Sequence, residues 1–99
     1  MPLQRLRQLN TTECLWPYIL RLLREKPTHA YTLRAAVEKR YGFRPGIMTA
    51  YKVLYLLEKE RYVEKTAEGR KRVYRIAPKG RAALRKASRF YSGLGKKLA

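Results

Sequence analysis

Acidic side chains are scarce in this sequence: 7 of its 99 residues are Asp or Glu against 24 Lys and Arg, a formal net charge of +17. The acids, Glu13, Glu25, Glu38, Glu58, Glu60, Glu64 and Glu68, are scattered, and the single histidine, His29, has neither a nucleophile nor a paired carboxylate beside it. Without such a constellation no catalytic chemistry is expected. One cysteine, Cys14, excludes an internal disulfide, and one Cys with one His makes no zinc ligand set, so neither metal nor cofactor is expected. No apolar run approaches the roughly 20 residues of a membrane span, and the N-terminus lacks a signal-peptide core with its cleavage site. The expectation is a cytoplasmic, nucleoid-associated protein without a membrane partner.

What the sequence has in abundance is positive charge, unevenly placed. From Gly69 onward there is no Asp or Glu, while Arg70, Lys71, Arg72, Arg75, Lys79, Arg81, Arg85, Lys86, Arg89, Lys96 and Lys97 all fall there. Such a balance costs self-repulsion that a polyanionic partner relieves. The length makes one small domain, short of core, which pairing with a second copy would help.

Residues 1–12, with Leu3, Leu6 and Leu9 three apart, read as a short helix or a basic arm. A helix follows from about Trp16-Pro17 to Glu25, with Ile19, Leu20, Leu22 and Leu23 as its core side and Thr11 or Thr12 as candidate caps. Thr28 is placed to cap a second helix through Tyr41, with Tyr31, Leu33, Ala36, Val37 and Tyr41 inward and Gly42 ending it. Arg44-Pro45-Gly46 turns the chain into a third helix over 45–60. At about 100° per residue its Ile47, Ala50, Val53, Leu54 and Leu57 form a core seam, whereas Met48, Lys52, Tyr55 and Lys59 form a positive face without a carboxylate. Two such helices joined by a short Gly/Pro turn make a helix-turn-helix, whose second helix can enter a major groove.

Beyond Arg61 the period becomes alternating. Residues 62–66 and 72–76 read as strands of a hairpin bent over 67–71, anchored by Val63, Tyr74 and Ile76, with Arg70, Lys71 and Arg72 at its tip. Pro78 opens a last helix whose Leu84, Ala87 and Tyr91 form a seam for another helix; Gly93 and Gly95 predict fraying beyond it. The fold class is therefore α+β, mainly helical, with a winged helix-turn-helix domain over 13–77 and a C-terminal helix over 78–99 for dimer contact.

The motifs resemble those of PadR-like transcriptional regulators. Ile19 to Leu33, with Pro27, His29 and Tyr31, is similar to I-L-x-L-L-x-x-x-P-x-H-G-Y-x-L. Thr49 to Leu54 and Leu57 to Val63 resemble T-L-Y-x-A-L and L-E-x-x-G-L-I, and Gly69 to Leu84 resembles G-R-R-R-Y-Y-x-L-T-x-x-G-R-x-A-L. The resemblance implies a homodimer that binds pseudo-palindromic operator DNA as a repressor, with dimer contacts from the first and last helices. The chain departs from the pattern at Lys52 (often Pro), Met48 (often Gly), Ala30 and Arg61 (both Gly), and at Tyr55 and Leu56 (often Arg). Its last helix also reads as brief.

The functional expectation is a sequence-specific, double-stranded DNA-binding regulator. Met48, Thr49, Lys52 and Tyr55 would meet or flank base edges, and Arg70, Lys71 and Arg72 of the wing (67–72) would reach phosphates or the minor groove. Arg34, Arg44 and Lys59 are further phosphate candidates. The alternative is an architectural chromosome protein with little sequence preference, supported by the size of the charge excess. An RNA-binding winged helix lacks a stacking platform, since Tyr31, Tyr41 and Tyr74 read as packing residues. No residue pattern points to a small-molecule effector.

Overall fold

The computed structural model describes residues 2–69 and 71–99, which form α1 (Pro2–Leu9), α2 (Trp16–Glu25), β1 (Thr28–His29), α3 (Ala30–Tyr41), α4 (Ile47–Lys59), β2 (Val63–Glu68), β3 (Lys71–Ile76) and α5 (Pro78–Leu98). The expected order of helices, hairpin and helix is present, and residues 2–9 take the helical one of the two forms expected for them. The one addition is Thr28–His29, which forms a third strand and gives one antiparallel sheet in the order β1-β3-β2.

The core is built around α2, because four of its ten residues, Ile19, Leu20, Leu22 and Leu23, are buried. They meet Leu33 and Val37 of α3, Ala50, Leu54 and Leu57 of α4, Val63, Tyr74 and Ile76 of the sheet and Leu84 of α5. Each large aliphatic side chain so enclosed stabilises the fold by about 1.5–3 kcal/mol. Tyr18 fastens the edge of this core: its hydroxyl donates to the Asn10 carbonyl at 2.6 Å, and Tyr41 and Phe43 stand edge-on to its ring at 4.8 and 5.0 Å. Burial pushes the Tyr18 hydroxyl pKa up.

Several local expectations are corrected. Thr11 does not cap α2; its hydroxyl donates to the Arg7 carbonyl at 2.7 Å and closes α1 instead, while Leu15 occupies the uncapped entry to α2. Thr28 does not cap α3, because its backbone is spent in β1 and its hydroxyl turns back to the Lys26 carbonyl. Tyr31 is 84% exposed rather than inward, since α3 begins at Ala30 and its first turn overhangs the core. Ile47 is likewise exposed, and the seam of α4 narrows to Ala50, Leu54 and Leu57 with Val53 half-buried. The helix spans Ile47–Lys59 rather than 45–60, with Gly46 at its N-cap and Pro45 buried in the turn.

The end of α4 has a defined stop. The Tyr62 N–H donates to the Leu57 carbonyl at 2.8 Å and the Arg61 N–H to the Glu58 carbonyl at 3.0 Å, the pair of bonds that define a Schellman motif. That motif places Arg61 in the left-handed region at φ 66°, where the family pattern has Gly. The hairpin beyond it is tighter than expected. Its ladder continues to Glu68 opposite Lys71, so Lys71 and Arg72 belong to β3, and the bend holds Gly69 at φ 63°.

The last helix is not brief: α5 is 21 residues long and continues through Gly93 and Gly95, where fraying was expected, to Leu98. Leu94, Gly95 and Leu98 border an open apolar hollow with Leu6 of α1 and with Pro17 and Tyr18 of α2. Its N-terminal end is locked to the hairpin. The Ala77 N–H donates to the Tyr62 carbonyl at 3.0 Å, and Lys79 donates to the Glu60 carbonyl at 2.8 Å with its ammonium 4.3 Å from the Tyr62 ring centroid.

Candidate nucleic-acid interface

The outer face of α4 follows directly from its narrow core seam. With Ala50, Leu54 and Leu57 buried, helical geometry turns Met48, Thr49, Lys52, Tyr55 and Lys59 outward, and all five are exposed. Met48 is 79% exposed, an unusual position for a large apolar side chain and a suitable one for contact with a thymine methyl. No carboxylate joins that face. Glu58 is half-buried on the wing side, 3.2 Å from the Lys65 ammonium. The first-turn amides of α4 have no side-chain cap, so they remain donors at the positive end of a helix dipole.

The cations around α4 divide into braced and free. Arg34 donates from Nε to the Pro45 carbonyl at 2.5 Å, which fixes the turn between α3 and α4 and makes Arg34 a positioning residue. Arg44 lies 3.7 Å from Glu38 in an exposed pair of the kind worth about 0–1 kcal/mol, weak enough for phosphate to displace. Lys52, Lys59 and Arg72 stand in no ion pair among the described residues. Arg70, the third wing cation, lies outside the described residues.

Two tyrosines were missed by the sequence reading. Tyr51, on the wing side of α4, and Tyr31, at the start of α3, line a cleft of about 450 Å³ together with His29, Thr32, Lys71 and Arg72. The row Ile47, Tyr51, Tyr55 at four-residue steps carries the signal: all three are exposed, so α4 presents an aromatic flank beside its cationic face.

The proposed dimer seam is brought together only in part. Leu84 is buried in its own protomer's core and is not available to a partner, because α5 packs on α2 at that level. Ala87 is half-buried and Tyr91 exposed, Phe90, Leu94 and Leu98 beside them are exposed apolar side chains, and Leu6 of α1 meets Leu94 and Leu98 at a shared hollow. Burial raises the Tyr91 hydroxyl pKa, with Cys14 and Tyr18 adding to it. Among the described residues there is no metal-ligand cluster and no helix long and apolar enough to cross a membrane.

Comparison with known proteins bears on this arrangement. Residues 19–86 match the profile of the Transcriptional regulator PadR-like family. Among solved structures, a PadR-like transcriptional regulator from Bacillus cereus superposes with a TM-score of 0.79 at 21% identity, over 93% of this chain and 92% of that one. A transcriptional regulator from Clostridium thermocellum gives 0.77 at 23% identity, over 84% of each chain. A PadR family transcription regulator from Clostridium difficile gives 0.77 at 17% identity, over 84% of this chain and 92% of that one. The search of curated proteins finds no match. At these identities the structures establish a shared fold, while the profile spans most of the chain from α2 into α5. The chain thus belongs to the PadR-like family of transcriptional regulators, DNA-binding winged-helix proteins and not enzymes.

Proposed function

We propose that the protein is a homodimeric repressor that sets α4 of each protomer into successive major grooves of operator DNA, about 34 Å apart. The observation that carries this reading is the outer face of α4, cationic and free of carboxylates, beside a wing edge bearing Lys71 and Arg72. In this mechanism Lys52 is the main base reader, suited to guanine O6 and N7, with Met48 and Thr49 on thymine methyls or phosphate and Tyr55 flanking. Lys71 and Arg72, with Arg70, hold the wing on the backbone or minor groove, and the bare amides of α4 take a phosphate. Lys59 and Arg44 add phosphate contacts at either end of the helix. The apolar surface shared by α1 and the second half of α5 supports pairing, because a monomer rarely leaves so many neighbouring large apolar side chains in water.

The size of the charge excess favours a second reading, an architectural protein that coats DNA with little sequence preference. A titration of the purified protein against its own upstream promoter fragment and a scrambled duplex, each at two salt concentrations, separates the two. Operator readout predicts a preference of about 10³ or more that survives the higher salt, and Lys52→Ala, which removes one bidentate base contact from each protomer, lowers it by about 30-fold or more. Equal affinities that fall together as salt rises reject operator readout and favour the architectural reading.

A further inference from the structure

The last helix carries a charged surface that the operator contacts leave unused. Along α5, Arg81, Arg85 and Arg89 recur at four-residue steps and Lys96 continues the row, all of them exposed. At 1.5 Å rise per residue the row is about 22 Å long, and at 100° per residue it lies nearly opposite Leu94 and Leu98. None of these four bases stands in an ion pair among the described residues. No acid follows Glu68 in sequence to supply one locally. A helix face kept merely soluble mixes signs, because like charges at four-residue spacing cost the helix about as much as opposite charges contribute. This face holds one sign over most of the helix.

Its placement decides what it can reach. At 100° per residue the row centres on the side of α5 opposite Gly80, Ala83 and Ala87, which with Leu84 make up its buried and half-buried side, while Lys52 and Lys59 point away from Ala50, Leu54 and Leu57 of α4. The two cationic surfaces therefore leave the core on separate elements, and covering the apolar side of α5 with a second protomer leaves the row facing solvent. We propose that Arg81, Arg85, Arg89 and Lys96 form a second, sequence-independent DNA site that holds the phosphate backbone of another duplex while α4 occupies the first. A duplex carries one charge per about 1.7 Å of axis, so a 22 Å stretch offers about 13 phosphate charges to four cations. The partner is taken to be DNA because the family's DNA-binding activity keeps duplex concentrated around the protein; the inference does not rest on operator specificity.

The test is capture of a second duplex. A promoter duplex is fixed to beads and saturated with protein, and a fluorescent scrambled duplex is then added. The parent protein retains the second duplex, and an Arg81/Arg85/Arg89→Gln triple variant retains at least about tenfold less, with the salt slope of that step lowered by about 3 units. Helix content by circular dichroism and affinity for the fixed duplex stay at parental values in that variant, and the matching triple Lys variant restores capture. The inference is overturned if the parent captures no second duplex, if the Gln variant captures as much as the parent, or if single-stranded RNA or anionic vesicles are captured in place of duplex DNA. Loss of promoter preference with capture intact would remove operator readout and leave this second site standing.

Discussion

Arg61→Gly should make the protein more stable, although it deletes a side chain and adds the most flexible residue. Arg61 is at φ 66°, held there by the Schellman bonds from its own N–H to the Glu58 carbonyl and from the Tyr62 N–H to the Leu57 carbonyl. A side chain in the left-handed region costs about 1–2 kcal/mol from the contact of Cβ with the following carbonyl. Glycine removes that strain but loses about 0.5–1 kcal/mol through the greater freedom of the unfolded chain. The net gain is between about 0 and 1.5 kcal/mol, or up to about 12 °C in Tm for a domain of this size. The Arg61 side chain is exposed and forms no hydrogen bond or ion pair among the described residues, so little is lost with it. Thermal unfolding of parent, Arg61→Gly and Arg61→Ala at one protein concentration checks this, since the proposed pairing would make Tm concentration-dependent. Alanine keeps the Cβ, so it should melt with the parent. If Gly and Ala variants melt together, backbone strain at this helix end is not what limits stability.

Two further predictions concern stability. A Cβ at Gly80 would run into the Tyr62 carbonyl and lie 2.9 Å from Ile76 Cγ1, whereas one at Gly93 meets nothing within 4 Å. Gly80→Ala should therefore destabilise by about 1–3 kcal/mol and Gly93→Ala stabilise by up to about 1 kcal/mol, with urea unfolding reading opposite signs for one substitution in one helix. Glu25 is held below its ordinary pKa of 4.5, first by the hydrogen bond from Arg40 and then by Arg21, which ties the end of α2 to α3. A depressed carboxylate contributes stability above its unfolded pKa and loses it as pH falls through the folded value. The Tm of Glu25→Gln should accordingly lie below the parent's at pH 7 and converge with it in strong acid; a constant gap across that range would mean that ionisation of Glu25 plays no part.

Much of this architecture was legible in the sequence because period and punctuation agreed. The apolar steps of α2, Gly42 at φ 80° with its N–H on the Glu38 carbonyl, and the alternation of Val63, Tyr74 and Ile76 each point to one local structure. The misses share a cause. A helical wheel gives direction but not how far the core reaches, so Tyr31 and Ile47, in the first turns of α3 and α4, were assigned inward when both overhang the core. Strand β1 has two residues, too few to display a period, and exists only because Val73 and Tyr74 offer it a ladder. Glycine propensity predicted fraying beyond Tyr91, whereas α5 continues as regular helix to Leu98. At the candidate interface the face of Met48, Thr49, Lys52, Tyr55 and Lys59 was readable from spacing alone. The bracing of Arg34 on Pro45 and the cleft of Tyr31 and Tyr51 depend on contacts between elements that spacing does not encode.

The small strand β1 has a mechanical consequence. Thr28 and His29 pair with Tyr74 and Val73, and His29 leads straight into α3, so the inner strand of the wing and the first helix of the helix-turn-helix are stitched together by backbone. A wing attached only through its own hairpin could tilt until its cations found phosphate on any groove. Here tilting would break the β1–β3 ladder or drag α3 along, and Arg34 on Pro45 passes that movement on to α4. In the binding mode proposed above, the protein would act as a caliper of fixed jaw width, with one jaw in the major groove and the other on the flanking backbone. Duplexes whose minor groove is too wide or too narrow at the wing would then be penalised at base pairs that no side chain touches, and discrimination by DNA shape would come from a strand two residues long.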